Sequence, residues 1–286
     1  MNILLTGVNG QVGWELRRTL ATLGTVTAPT RQQLDLTDEQ ALRQFIRTTR
    51  PQLIVNPAAH TAVDKAESEP ELARALNAIA PAIMAEEAAR LDAAMVHYST
   101  DYVFDGSKSD AYTETDTPNP LGVYGATKLA GEQAIAAAGI PHLILRTSWV
   151  YGLRGGNFLL TMQRLFQERE QLNIVADQFG APTWSRMIAE ATAQILAQRP
   201  FEQQSLSGIY NLTSAGTTSW HAFASAILER TAVGKSVTLN PIPASQYPTP
   251  ATRPANSVLC GDKLLKTFGI ALPHWEAALA LCLDKP

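Results

Sequence analysis

The sequence predicts an α/β fold, a Rossmann-like, doubly wound parallel sheet joined to a smaller α+β domain. Three observations carry that expectation. The chain opens on a short apolar run, Asn2–Leu5, stopped by glycines at 7, 10 and 13. Behind the glycines, Val12, Leu16, Leu20 and Leu23 recur at helical spacing. Short apolar runs then alternate with amphipathic or Ala-rich stretches, the crossovers that parallel strands need.

Asn2–Leu5 is too brief for a helix and reads as a buried strand. A tight turn leads into a helix over about Gln11–Leu23. Thr25–Ala28 is the second strand. Asp38–Thr49 is the second helix, with Asp38 suited to cap it and Ala41, Leu42, Phe45 and Ile46 on its apolar face. Strands at Leu53–Asn56, Met95–Tyr98 and His142–Arg146 alternate with helices at Pro70–Leu91 and Leu121–Ala138, completing a dinucleotide-type domain over residues 1–151. After Tyr151 the texture changes. Residues 152–156 are a loop; helices are expected at about Asn157–Glu168, Arg186–Ala197 and Ser219–Arg230, and strands near Leu172–Ala176 and Gly208–Leu212. Five prolines between Pro241 and Pro254 exclude a long helix. Residues 152–286 are read mainly as a smaller substrate-binding domain, with the chain expected to cross back to the first.

The 286 residues are 45% hydrophobic and 17% charged, an ordinary globular composition. A net charge of −3 without a basic stripe argues against nucleic acid. No apolar run approaches the roughly 20 residues that span a bilayer. The first residues enter a core strand without a charged leader. Cys260 and Cys282 have no metal spacing. These features predict a cytoplasmic enzyme with reduced thiols, no membrane contact and no bound metal.

The glycines follow a Gly-x-x-Gly-x-x-Gly spacing at a strand-to-helix turn. Glycine there permits positive φ and leaves no side chain between backbone amides and a phosphate. The helix start adds free N–H groups and the positive end of its dipole. Gly7, Asn9, Gly10, Gln11, Val12 and Gly13 are therefore candidates for holding a dinucleotide. The second strand leads to Arg31, and a basic residue there can receive a 2′-phosphate. That favours NADPH, with NADH the alternative and a solvated surface charge the plain reading of Arg31. Asp35 and Leu36 are expected at the adenine edge, although Asp35 could equally cap its loop.

Thr100 stands at the end of a strand, where doubly wound sheets bind ligands. Tyr124 and Lys128, four apart at a helix start, share a face. A nearby ammonium is expected to lower the phenol from its usual value of about 10. The pair could then protonate a carbonyl oxygen as a hydride arrives, with Thr100 orienting that oxygen and Lys128 holding the cofactor ribose.

Segments Thr6–Gly13, Val55–Glu67, His97–Asp105, Tyr124–Glu132, Arg146–Tyr151, Asp177–Thr183 and Tyr247–Ser257 together resemble the dTDP-4-dehydrorhamnose reductase family. The resemblance runs in order over nearly the whole chain. It implies reduction of the 4-keto group of dTDP-4-dehydro-β-L-rhamnose to dTDP-L-rhamnose, with Thr100, Tyr124 and Lys128 catalytic and Tyr124 the proton donor. It places Gly10, Gln11 and Val12 on the cofactor phosphates and Ala59, His60 and Thr61 beside the cofactor. Thr100, Asp101, Tyr124 and Trp149 fall on the sugar side. Arg253, between prolines, is a chemically suitable cation for the substrate pyrophosphate. Some members dimerise around magnesium; here Glu15 is present but Arg186 stands where another acid is needed, so no structural magnesium is expected and self-association is left open. The alternatives are another nucleotide-sugar reductase or epimerase of the extended reductase class, and a non-catalytic NADP-binding regulatory subunit.

Overall fold

The computed structural model describes residues 1–234 and 236–284. The first strand, β1 (Asn2–Leu5), buries Ile3, Leu4 and Leu5 and leads through the glycine turn into α1 (Gln11–Thr19). Next come β2 (Thr25–Thr27), α2 (Glu39–Thr49) and β3 (Leu53–Asn56). Asp38 caps α2 by accepting from the Ala41 N–H at 2.9 Å. The expected 70–91 helix is preceded by α3 (Val63–Ser68) and is itself broken. It runs as α4 (Pro70–Arg74), a π-helical stretch over Ala75–Ile79, and α5 (Ala80–Leu91). Asn77, inside the stretch, is fully buried and bonds both His60 and Thr127, interactions that propensity does not encode. The first half ends with β4 (Ala94–Thr100), α6 (Val123–Ala137) and β5 (His142–Thr147).

The second half comprises β6 (Val150–Tyr151), α7 (Phe158–Glu168), β7 (Gln171–Val175), β8 (Phe179–Gly180), β9 (Thr183–Trp184) and α8 (Ser185–Ala197). It continues with β10 (Gly208–Asn211), β11 (Thr218–Ser219), α9 (Trp220–Arg230), β12 (Thr238–Ile242), α10 (Asp262–Phe268) and α11 (Trp275–Leu283). The short pairs β6–β9 and β8–β11, and the strand β12 that pairs with β7, are too brief or too proline-marked to read from periodicity.

One parallel sheet of six strands, in the order β10-β5-β4-β3-β1-β2, organises the fold. Alternating side chains feed two opposite faces. Ile3, Leu5, Val55 and Val96 join Leu16 of α1 and Ile188 of α8, while Leu4, Ile54, Met95 and Ile144 join Leu42 of α2 and Met84 of α5. A third cluster around Tyr151, Phe166, Phe223 and Trp275 holds α7, α9 and α11 together. β10 pairs with β5, so residues late in the chain complete the first sheet. From β1 the chain passes to β2 on one side and later to β3 on the other. That reversal opens a crevice at the carboxyl ends of β1 and β3. Among the described residues no helix is long and apolar enough to cross a membrane.

Candidate active site

A cavity of about 640 Å³ occupies this crevice. At one end stands the glycine turn. Gly7 has a φ of +58°, and a Cβ there would meet the Ala58 backbone at 2.8 Å. A Cβ at Gly13 would run into the Gly7 carbonyl. Gly10 is the N-cap of α1, with no side-chain cap and no acidic residue in the first turn. The first-turn N–H groups therefore have neither an intrahelical acceptor nor a competing carboxylate, which suits an anion. Gln11 ties the turn to the second half, donating to the Val150 carbonyl and accepting from Asn157 Nδ2 at 2.8 Å. Gly7, Asn9, Gly10, Gln11, Val12, Gly13, Arg31, Asp35, Leu36, Ala59 and Thr61 all line the cavity. This bare cradle, with a cation at its far end, fits a phosphorylated dinucleotide. Asp35 also caps its loop, accepting from Thr37 N and Oγ1, and those bonds hold it below its usual range.

The opposite end is polar and largely buried. Thr100 Oγ1 accepts from Tyr102 N at 3.1 Å and donates to Asp101 Oδ1 at 3.0 Å; Ser148 Oγ donates to Asp101 Oδ2 at 2.9 Å. Burial pushes Asp101 up to about 6, against hydrogen bonds from Ser257, Ser148 and Thr100. Tyr124 opens α6 and Lys128 lies one turn on; both line the cavity with Thr100, Asp101 and Trp149.

The expected lowering of the Tyr124 phenol by Lys128 does not hold in this structure. Burial, which disfavours the phenolate, pushes Tyr124 up to about 12; a Thr100 hydrogen bond opposes this and the Asp101 charge adds to it. Lys128 Nζ is engaged elsewhere, 2.6 Å from the Tyr98 carbonyl oxygen, to which it donates, and 3.1 Å from His97 Nε2. Burial lowers Lys128 to about 8, with Glu132 opposing.

Trp149 adopts a φ of +46° and stacks on Trp220, ring centroids 3.4 Å apart and planes 5° from parallel. Gly180 lies against the Trp149 indole, where any side chain would collide. Trp220 lines the cavity and was not foreseen, because it arrives from α9, far along the chain. Tyr102 and Val63 were likewise missed, with only their place in quoted segments as a signal.

Two expected contacts lie off the cavity wall. The His60 ring is buried with Nε2 3.0 Å from Glu69 Oε2, so its polar edge is directed to the helices. Arg253 Nη2 donates to Asp64 Oδ2 at 2.8 Å, and Asp64 also accepts from Ala251 N. That pair joins the 251–253 loop to α3, and its bonds hold Asp64 below its usual range. Arg186, the residue expected to disfavour magnesium, pairs with Glu190 at 3.1 Å.

Comparison with known proteins gives a consistent result. The model of the RmlD substrate binding domain family matches residues 1–286. The chain is 50% identical to a dTDP-4-dehydrorhamnose reductase of Burkholderia thailandensis, over 99% of this chain and 98% of that protein. It is similar to a crystal structure of a dTDP-4-dehydrorhamnose reductase from Clostridium acetobutylicum, with a TM-score of 0.91, 37% identity and 99% of each chain covered. It is also similar to the Bacillus anthracis dTDP-4-dehydrorhamnose reductase solved in complex with NADP, with a TM-score of 0.89, 34% identity and 98% of each chain covered.

Proposed function

The chain belongs to the dTDP-4-dehydrorhamnose reductase family, and from that premise we propose that it reduces the 4-keto group of dTDP-4-dehydro-β-L-rhamnose with NADPH. The observation that carries this reading is a single cavity with a bare glycine turn at one end and Thr100, Tyr124 and Lys128 at the other. NADPH, when bound, supplies a hydride to the ketone carbon. The first turn of α1 would hold the diphosphate through its backbone N–H groups and the helix dipole. Arg31, which lines the cavity and is exposed, would receive the 2′-phosphate.

Tyr124 is the proton donor. Its raised pKa keeps the phenol protonated at neutral pH, ready to transfer that proton to the sugar 4-oxygen as negative charge grows there. The Thr100 hydroxyl, turned from Asp101 to the substrate, donates to the oxygen, and the Lys128 ammonium stabilises the phenolate left behind. The stacked Trp149–Trp220 surface offers an apolar wall to the sugar methyl group and excludes water from the reacting centre.

The test is an assay of absorbance loss by NADPH with the dTDP-4-keto sugar. One NADPH consumed per product is the expected result; turnover of the sugar without net NADPH loss would mean an epimerase. Arg31→Ala is expected to lower kcat/KM for NADPH about three- to tenfold while leaving NADH little changed, a modest effect because the side chain is exposed. A preserved NADPH-to-NADH ratio would remove Arg31 from cofactor choice.

The same groups define a pH profile. Below about 6 Asp101 gains a proton and no longer accepts from both hydroxyls. Above about 8 Lys128 loses its charge. The kcat/KM curve is therefore expected to fall on both sides, with limbs near those values. A profile flat through the Lys128 range would contradict the ammonium's role.

A further inference from the structure

A buried hydrogen-bonded chain runs behind the cavity from the glycine turn to Lys128. Thr6 Oγ1 donates to Asn56 Oδ1 at 2.5 Å, Asn56 Nδ2 lies 3.1 Å from His97 Nδ1, and His97 Nε2 lies 3.1 Å from Lys128 Nζ. All four side chains are more than nine-tenths buried. They come from four separate elements, the ends of β1 and β3, the middle of β4 and the first half of α6. Among the described residues, the hydrogen-bond partners of Nζ are the His97 ring and the Tyr98 carbonyl. Of the nearby titratable groups, Glu132 of α6 is tied by two bonds to Arg146 of β5. Asp101 is held by Thr100 and Ser148, and Tyr124 lies one turn before Lys128. Lys128 is the charged group that faces His97.

The protons in this chain can be counted. An ammonium has three donors and no acceptor, and a neutral imidazole has one N–H and one lone pair. With the Asn56 amide as it stands, its nitrogen donates to Nδ1. The ring proton then sits on Nε2, which can face only a neutral amine. Turning the amide over exchanges two isosteric groups. Nδ1–H then donates to the amide oxygen, Nε2 accepts from the Lys128 ammonium, and the amide nitrogen donates to Thr6. Each arrangement is complete, but only the second admits the ammonium, because an Nε2–H needs the lone pair of a neutral amine.

We propose that His97 is a positioning residue for Lys128: its imidazole, set from behind by Asn56 and Thr6, fixes the lysine nitrogen beneath the cavity and ties its protonation to one orientation of the Asn56 amide. His97 touches neither substrate nor cofactor and acts through Lys128. This deepens the reductase reading, in which Lys128 is a working group, but its test does not depend on turnover.

The test is an NMR titration of protein labelled at lysine Cε, with Lys128→Met used to assign the Lys128 signal. His97→Leu removes the acceptor and is expected to lower the Lys128 midpoint by about one pH unit, while His97→Gln, which keeps an acceptor near the Nε2 position, restores it. Asn56→Asp provides an acceptor for Nδ1–H and is expected to raise the midpoint by about one unit. The alkaline limb of kcat/KM should move with each variant. A purely structural His97 would change stability and leave the midpoints in place. An unmoved midpoint in folded His97→Leu, or a His97→Gln protein displaced as far as His97→Leu, overturns the proposal. Where His97→Leu does not fold, an unmoved midpoint in Asn56→Asp does the same. If no keto sugar is reduced while these midpoints move as stated, the reductase reading fails and this inference stands.

Discussion

Tyr124→Phe is expected to lower kcat by about 10²- to 10⁴-fold while leaving NADPH affinity unchanged. The substitution removes one oxygen and keeps the ring, so the edge contact with Tyr102, centroids 5.9 Å apart at 75°, survives. The cofactor cradle lies at the other end of the cavity and is not touched. The loss belongs to proton transfer, because the substitution removes the phenol proton and leaves the ring in place. Steady-state kinetics beside a fluorescence titration with NADPH separates the two effects. A Phe variant that kept more than about a tenth of the parental kcat would transfer the proton donor's role to another group. A variant that lost NADPH binding as well would indicate collapse of the site.

The second large effect concerns stability. Glu132 accepts from Arg146 Nε at 2.9 Å and Nη2 at 2.6 Å, and both side chains are 2% exposed. Arg146 also lies over the Phe104 ring, its central carbon 5.1 Å from the centroid. Glu132→Leu leaves a guanidinium buried without its counter-charge and is expected to cost about 3–5 kcal/mol, read from urea unfolding. The double variant Glu132→Leu/Arg146→Met removes both charges and is expected to recover most of that loss. If the double variant were as unstable as the single one, the cost would lie in packing rather than in the uncompensated charge. Lys128, whose charge Glu132 supports, should titrate lower in both variants.

The frame of this molecule was legible because its signals are local. Glycines at 7, 10 and 13 between a buried strand and an amphipathic helix dictate a tight turn with a bare helix start wherever that helix packs. Thr100 at a strand end and the Tyr124–Lys128 spacing similarly placed three side chains at one crevice, since carboxyl ends of parallel strands converge there. Elements built from long-range contacts were not legible. The π-helical stretch depends on Asn77 reaching His60 and Thr127, and Trp220 meets Trp149 only after α9 has packed. The sixth strand of the sheet, Gly208–Asn211, is legible as a strand, but its place beside β5 is set only by the fold.

Charge states divided in the same way. Which residues could ionise was plain from their types, but the direction of each shift was not. The Lys128 nitrogen was expected to pull the Tyr124 phenol down, and desolvation instead pushes it up while Lys128 bonds to β4. Arg253 is a chemically suitable cation by type, but only the fold shows that its guanidinium pairs with Asp64. By itself the sequence determined the parallel α/β plan, the glycine turn between β1 and α1 and the three side chains Thr100, Tyr124 and Lys128 that meet at one cavity, because periodicity, glycine and helical spacing act over a few neighbouring residues. Tertiary structure alone decided which wall each side chain faces, what each charge is paired with and how strongly each proton is held, because burial and pairing sum over segments distant in the chain.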